Sequence, residues 1–132
     1  MKVKFNMIGL FVEDLPAMVQ FYNEVIGIDI EWDGAGPYAE FKHEGIRFAM
    51  YDRKYLPGLL GKNPSFTRGI NGTFELALNV GKPDNVDALF RRLVEQGAAE
   101  VYAPRDEPWK MRSAMVTDPE GNLIEIASDF WE

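Results

Sequence analysis

A chain with no cysteine and one histidine, His43, has a narrow choice of chemistry. It can form no thiolate nucleophile, thiolate metal site or disulfide. His43 is predicted to sit in an exposed turn, so no Ser–His–Asp or Cys–His arrangement can be assembled around it. Gly34 and Gly36 do not make a phosphate loop, because no helix start with Lys and Ser/Thr follows them. What remains is carboxylate, guanidinium and aromatic chemistry. Strand parity places Glu75 and Glu125 opposite the apolar sets Leu76/Leu78/Val80 and Ile124/Ile126. Two carboxylates can serve as a general base or hold Mg or Mn weakly, with water completing the shell. They can equally be groups in a wet cleft, neutralised by Arg47 or Arg112 on neighbouring strands. Trp109, in Glu107-Pro108-Trp109-Lys110, stands on a predicted loop as a stacking platform for a flat ligand or as a plug between chains.

The elements that must carry these residues come in two similar sets. Lys4 to Val12 alternates as a strand, with Ile8, Leu10 and Val12 on one face and Met7, Gly9 and Phe11 on the other. Both faces are largely apolar, so cover on both is expected. Asp14 is the expected N-cap of a helix, with Pro16 in its first turn. Leu15, Met18, Phe21, Tyr22 and Val25 follow at helical spacing, and Gly27 closes the helix. The pattern then returns: a strand over Glu75–Val80, Asp84 as cap candidate, the stripe Val86, Leu89, Phe90, Leu93 and Val94, and Gly97. Asp14 and Asp84 are 70 positions apart, as are Gly27 and Gly97, while Gly81-Lys82 reads as an insertion that leaves the strands at an offset of 68, Met7 opposite Glu75.

Three short strands are expected after each helix. In the first half they are Asp29–Trp32, Tyr38–Lys42 and Ile46–Tyr51; in the second, Glu100–Ala103, Arg112–Thr117 and Leu123–Ser128. The fold class is therefore α+β, a tandem pair of βαβββ modules at about residues 1–52 and 73–132, read as one domain over 1–132. Residues 53–72 are the linker, with a helical turn expected at Tyr55–Leu60.

Bulk composition narrows the partners. The 132 residues are 46% hydrophobic and 27% charged, as in an ordinary globular protein. The net charge of −7 and the scattered 14 basic residues argue against nucleic acid and anionic membrane, both of which need a concentrated basic face. With no signal-peptide pattern and no long apolar run, a cytoplasmic location is the expectation.

Three segments carry a family resemblance. They are Ile8-Gly9-Leu10-Phe11-Val12-Glu13-Asp14-Leu15 with Phe21-Tyr22-Asn23-Glu24-Val25-Ile26-Gly27, the helix ending Gln96-Gly97-Ala98, and Thr117-Asp118-Pro119-Glu120-Gly121-Asn122-Leu123-Ile124-Glu125-Ile126. Together they resemble the vicinal oxygen chelate superfamily of glyoxalases, bleomycin-resistance proteins and extradiol dioxygenases. The resemblance implies that each module curls into a half-open cup with its helices outside. It also implies that two chains pair as a homodimer to complete each cup. The family's enzymes hold a divalent metal with His, Gln and Glu on the first and last strands of each half. Those positions here are Met7, Glu75, Glu125 and either Phe48 or Ala49. A thioether suits copper(I) and not the metals this family uses. The expectation is a binding protein for a small, partly hydrophobic molecule, with no cofactor and no tightly bound metal. Its ligand contacts would be Met7, Phe48, Glu75, Trp109, Arg112 and Glu125, with Glu125 the catalytic candidate if chemistry occurs. The alternative is a metal-dependent glyoxalase-like lyase or isomerase, or a dioxygenase, using Glu75 and Glu125.

Overall fold

A computed structural model describes residues 1–41 and 45–132. The turn expected at His43, and the Lys42 end of its preceding strand, lie outside the described residues. The chain divides into two compact units, Met1–Phe66 and Thr67–Glu132.

In the first unit, β1 (Met7–Val12) leads into α1 (Leu15–Gln20), then β2 (Ile30–Glu31), β3 (Tyr38–Phe41) and β4 (Arg47–Asp52). Asp14 caps α1 as expected, its carboxylate accepting from Ala17 N at 3.1 Å. The helix then widens into a π-helical segment, Phe21–Ile26, a departure from the single regular helix expected. Its signature is the bond from Gly27 N to Tyr22 O at 3.1 Å, and Gly27 ends it at φ 93°. The wider turn buries the adjacent rings Phe21 and Tyr22 together with Ile26. A 3-10 turn (Arg53–Tyr55) and α2 (Leu56–Leu60) follow β4.

The second unit repeats the plan with β5 (Asn71–Asn79), α3 (Pro83–Glu95), β6 (Ala99–Glu107), β7 (Met111–Thr117) and β8 (Asn122–Ala127). The N-cap of α3 is Lys82, not Asp84. Pro83 takes the first helical position, where its missing N–H is tolerated, and this moves Asp84 into the first turn. Helix starts thus keep the strand offset of 68, and the two extra residues are absorbed inside the helix rather than at Gly81-Lys82. Val94, placed on the apolar stripe from sequence, is exposed. β6 continues to Glu107, through Pro104, where a loop was expected. Its pairing with β7 is irregular between Glu100 and Arg105, and β6 is an edge strand, where proline is tolerated.

The two sheets share one topology, β1-β4-β3-β2 and β5-β8-β7-β6, with β1/β4 and β5/β8 parallel and the other pairs antiparallel. Two tandem βαβββ modules are therefore present. Within each module the helix covers one sheet face. Leu10, Val12, Ala39 and Met50 are buried with Leu15, Met18 and Tyr22; Leu76, Ala114, Val116, Ile124 and Ile126 are buried with Val86 and Leu93. The opposite faces are exposed in part, Ala49 and Ser113 being buried there while Met7 and Phe11 are not. Met7 is 38% and Phe11 45% exposed, so β1 is not covered on both sides. Among the described residues no helix is long and apolar enough to cross a membrane.

The turn between β7 and β8 sets the register of the second sheet. The Asp118 carboxylate accepts from Glu120 N (2.9 Å), Asn122 N (3.0 Å) and Asn122 Nδ2 (2.8 Å). Asn71 N donates to Gly121 O at 2.7 Å, tying β5 to the same turn. Gly121 sits at φ 87°, and a Cβ there would collide with the Gly69 carbonyl. Gly121→Ala should destabilise the chain by about 1–2 kcal/mol from the left-handed backbone alone, and by more once the collision is added. Urea unfolding measures it; wild-type stability in the variant would contradict this reading of the turn.

Candidate functional site

The open face of the first module is built by parity. Register pairs Met7 with Arg47, Gly9 with Ala49 and Phe11 with Tyr51, while Tyr38 and Glu40 of β3 pair with Tyr51 and Ala49. These residues share one face. Glu40 is buried and binds Arg47 Nε at 3.1 Å and Arg47 Nη2 more closely, and Tyr38 donates its hydroxyl to Glu40 Oε1 at 2.5 Å. The Met7 sulfur lies 3.7 Å from the Tyr38 oxygen. Met7 and Glu40 thus meet in one cluster, and Glu40 was not foreseen. Its signal was a lone carboxylate alternating with Ala39 and Phe41 in a short strand.

Phe48 is elsewhere. It pairs with Ile8 and Phe41 on the helix face, and its ring packs edge-on against Tyr22 with centroids 5.0 Å apart. The reason is the two-residue period of the strand: Phe48 shares parity with buried Met50. Ala77 pairs with Glu125 as Gly9 pairs with Ala49, so Ala49 is the first-module counterpart of Glu125.

In the second module the open face carries Glu75 and Ala77 of β5, Leu123 and Glu125 of β8, and Ser113 and Met115 of β7. Glu125 is half-buried between Ala77 and Met115. Its carboxyl is held above the ordinary glutamate range, first by burial and then by the charges of Glu75 and Glu107. Arg112 does not neutralise it. Arg112 shares the parity of Ala114 and Val116 and reaches toward α3, where it binds Asp87 in two bonds of 2.6 and 2.8 Å and Asp106 at 3.0 Å. Arg47 is likewise committed to Glu40. Sequence reasoning proposed both as partners of Glu75 or Glu125; the geometry gives both other acids. Trp109 stands 55% exposed on the turn between β6 and β7, beside Lys110 at φ 65°.

A second buried acid lies on this face. Glu107 receives Arg105 Nε at 2.7 Å and the Ser113 hydroxyl at 2.9 Å, and Arg105 holds its carboxyl below the usual range. Tyr102 binds Ser113 Oγ at 3.0 Å, and the Arg105 guanidinium stacks 3.9 Å above the Tyr102 ring. Ending the expected strand at Ala103 concealed this group. The Arg105/Glu107 spacing of two was the available signal.

The donor set does not suit a family metal. Among the described residues no three His, Cys, Asp or Glu side chains gather into a metal-binding group. The first module offers a thioether and a methyl at the ligand positions, Met7 and Ala49, and the second offers two carboxylates without imidazole.

A duplicated βαβββ sheet with one face under helices and one face lined by aromatic and carboxylate groups defines a small class of folds. Residues 4–126 match the Glyoxalase/Bleomycin resistance protein/Dioxygenase superfamily, and the chain belongs to it. It is 29% identical over 127 residues to the uncharacterized protein YraH of Bacillus subtilis (strain 168), covering 94% of this chain and 97% of that one. A glyoxalase-related enzyme from Fulvimarina pelagi superposes with a TM-score of 0.82 at 26% identity, covering 96% of this chain and 88% of that one. A glyoxalase/bleomycin resistance protein/dioxygenase family enzyme from Burkholderia phytofirmans PsJN shares the fold, with a TM-score of 0.80 at 24% identity and coverages of 96% and 98%.

The raised Glu125 carboxyl has a measurable sign. A folded-state value above the unfolded one adds stability below the ordinary glutamate range and loses it as pH rises through the raised value. Glu125→Gln removes the cost of ionising in the folded state. Its melting temperature should exceed wild type at about pH 8, with the gap closing near about pH 4. A variant that melts lower than wild type at the higher pH would show that Glu125 is stabilised as an anion.

Proposed function

We propose that this chain binds a small, partly hydrophobic molecule on its open sheet faces, works as a homodimer that covers those faces, and needs no tightly bound metal. The observation that carries this reading is Glu125, a half-buried carboxylate on an otherwise apolar stretch, with no ion-pair partner among the described residues. Such a group awaits a ligand rather than completing a core, because an uncompensated buried charge is costly. Exposed Met7 and Phe11 supply apolar surface that a second copy would bury. Trp109, at the strand ends of the second module, is the stacking platform. Two carboxylates close enough to repel are also what favours the metal-dependent reading, but the missing imidazoles weigh against it.

A small-molecule screen read by tryptophan fluorescence supplies the test. Trp109→Ala should weaken the best ligand by about 1–3 kcal/mol while leaving the protein folded and dimeric in sedimentation. If Trp109→Ala is monomeric with unchanged affinity, Trp109 is a plug between chains. If the wild type sediments as a monomer at micromolar concentration, the dimer is wrong.

A further inference from the structure

The wiring behind Tyr102 fixes the direction of its hydroxyl proton. Ser113 is fully buried, and its hydroxyl touches both Glu107 Oε1 and the Tyr102 oxygen. Glu107, clamped by Arg105, is ionised and can only accept. A serine hydroxyl has one proton, and here it goes to Glu107. Tyr102 therefore donates its own proton to Ser113 Oγ, and its remaining lone pair is turned away from the wire. Arg105, stacked on the ring, holds the phenol in that pose.

Tyr102 pairs with Met115, and Met115 with Glu125, so the phenol stands on the same sheet face as Glu125. The first module differs. There the Tyr38 proton goes directly to Glu40, while its oxygen receives Arg47 Nη2 at 3.5 Å and lies against Met7, enclosing the phenol in its own cluster. In the second module, among the described residues, the phenolic oxygen receives no donor while its own proton is committed to Ser113.

We propose that Tyr102 is a ligand-recognition residue, presenting its phenolic oxygen to an N–H donor on a small organic cation. The inference rests on the binding role proposed above and names its ligand class. A cation is selected because Glu75 and Glu125 have no ion pair among the described residues, while Arg105 and Arg112 are both committed to acids. On this face, among the described residues, an anionic ligand would meet Glu75 and Glu125, with Arg105 and Arg112 already bound to acids.

The probe is benzamidinium, a planar cation with N–H donors, with benzoate as the anionic control. Titrated into the full chain labelled with 15N, benzamidinium should shift the amides of Ser113, Met115 and Glu125 saturably, and benzoate should not. Tyr102→Phe, which keeps the ring and its stacking, should raise the Kd about threefold to tenfold. Ser113→Ala keeps the phenol but removes the acceptor of its proton, and should weaken binding similarly while the spectrum stays folded. Wild-type affinity in Tyr102→Phe overturns the role of Tyr102 and leaves small-molecule binding intact. Wild-type affinity in Ser113→Ala overturns the wiring. Saturable shifts with benzoate, or none with benzamidinium, overturn the cationic class, whereas the reading of the face as a binding site would still stand on any ligand from the fluorescence screen.

Discussion

Side chains alternate across a strand, so the register between β5 and β8 decides which of Ile124 and Glu125 meets α3 and which meets solvent. A slip of one residue would bury a carboxylate under the helix and expose the core. The Asp118–Asn122 turn prevents it: one buried carboxylate collects three hydrogen bonds, and Gly121 brings its carbonyl to Asn71 at the start of β5. The open face of the second module follows from this lock. The faces of Glu125 and its neighbour Met115 are counted from it, and Tyr102 joins them through the irregular β6/β7 pairing.

Against that frame of apolar packing, the acids of the open faces fall into two kinds. Glu40 and Glu107 are buried and each is clamped by an arginine, so their charges serve internal organisation. Glu75 and Glu125 have no such clamp among the described residues, and the Glu125 carboxyl is raised because burial and its acidic neighbours oppose ionisation. Both kinds sit on sheets whose helix-covered sides carry the apolar core, Leu10, Met50, Ala114, Val116, Ile124 and Ile126 among them. A fold stabilised on one face is free to place costly groups on the other, which is where a binding function can reside.

Much of this was legible in the residues. Repeated strand–helix–strand patterning announced two βαβββ modules, because each helix needs a cap, a stripe and a closing glycine at fixed distances. Asp14 and Gly27 do what their positions implied. The faces of Glu75 and Glu125 followed from parity. Phe48 could not be separated from Ala49 without the β1/β4 register, which long-range pairing sets. Arg112 was assigned to the cleft although it shares parity with Ala114 and Val116, a reading the local pattern itself could have corrected. Pro104 hid the second half of β6, because a proline in a central strand argues against the strand while an edge tolerates it. The Tyr102–Ser113–Glu107–Arg105 group was overlooked for that reason, although Arg105 and Glu107 stand two apart as on one strand face.

The family resemblance points to metal chemistry, and the donor set points away from it. The most direct test of the account is calorimetric titration of a screened ligand into protein stripped with chelator and kept in chelator. The account predicts saturable binding of unchanged affinity. Binding that vanishes in chelator and returns only on addition of Zn, Ni, Mn or Fe would contradict it and assign Glu75 and Glu125 to a metal.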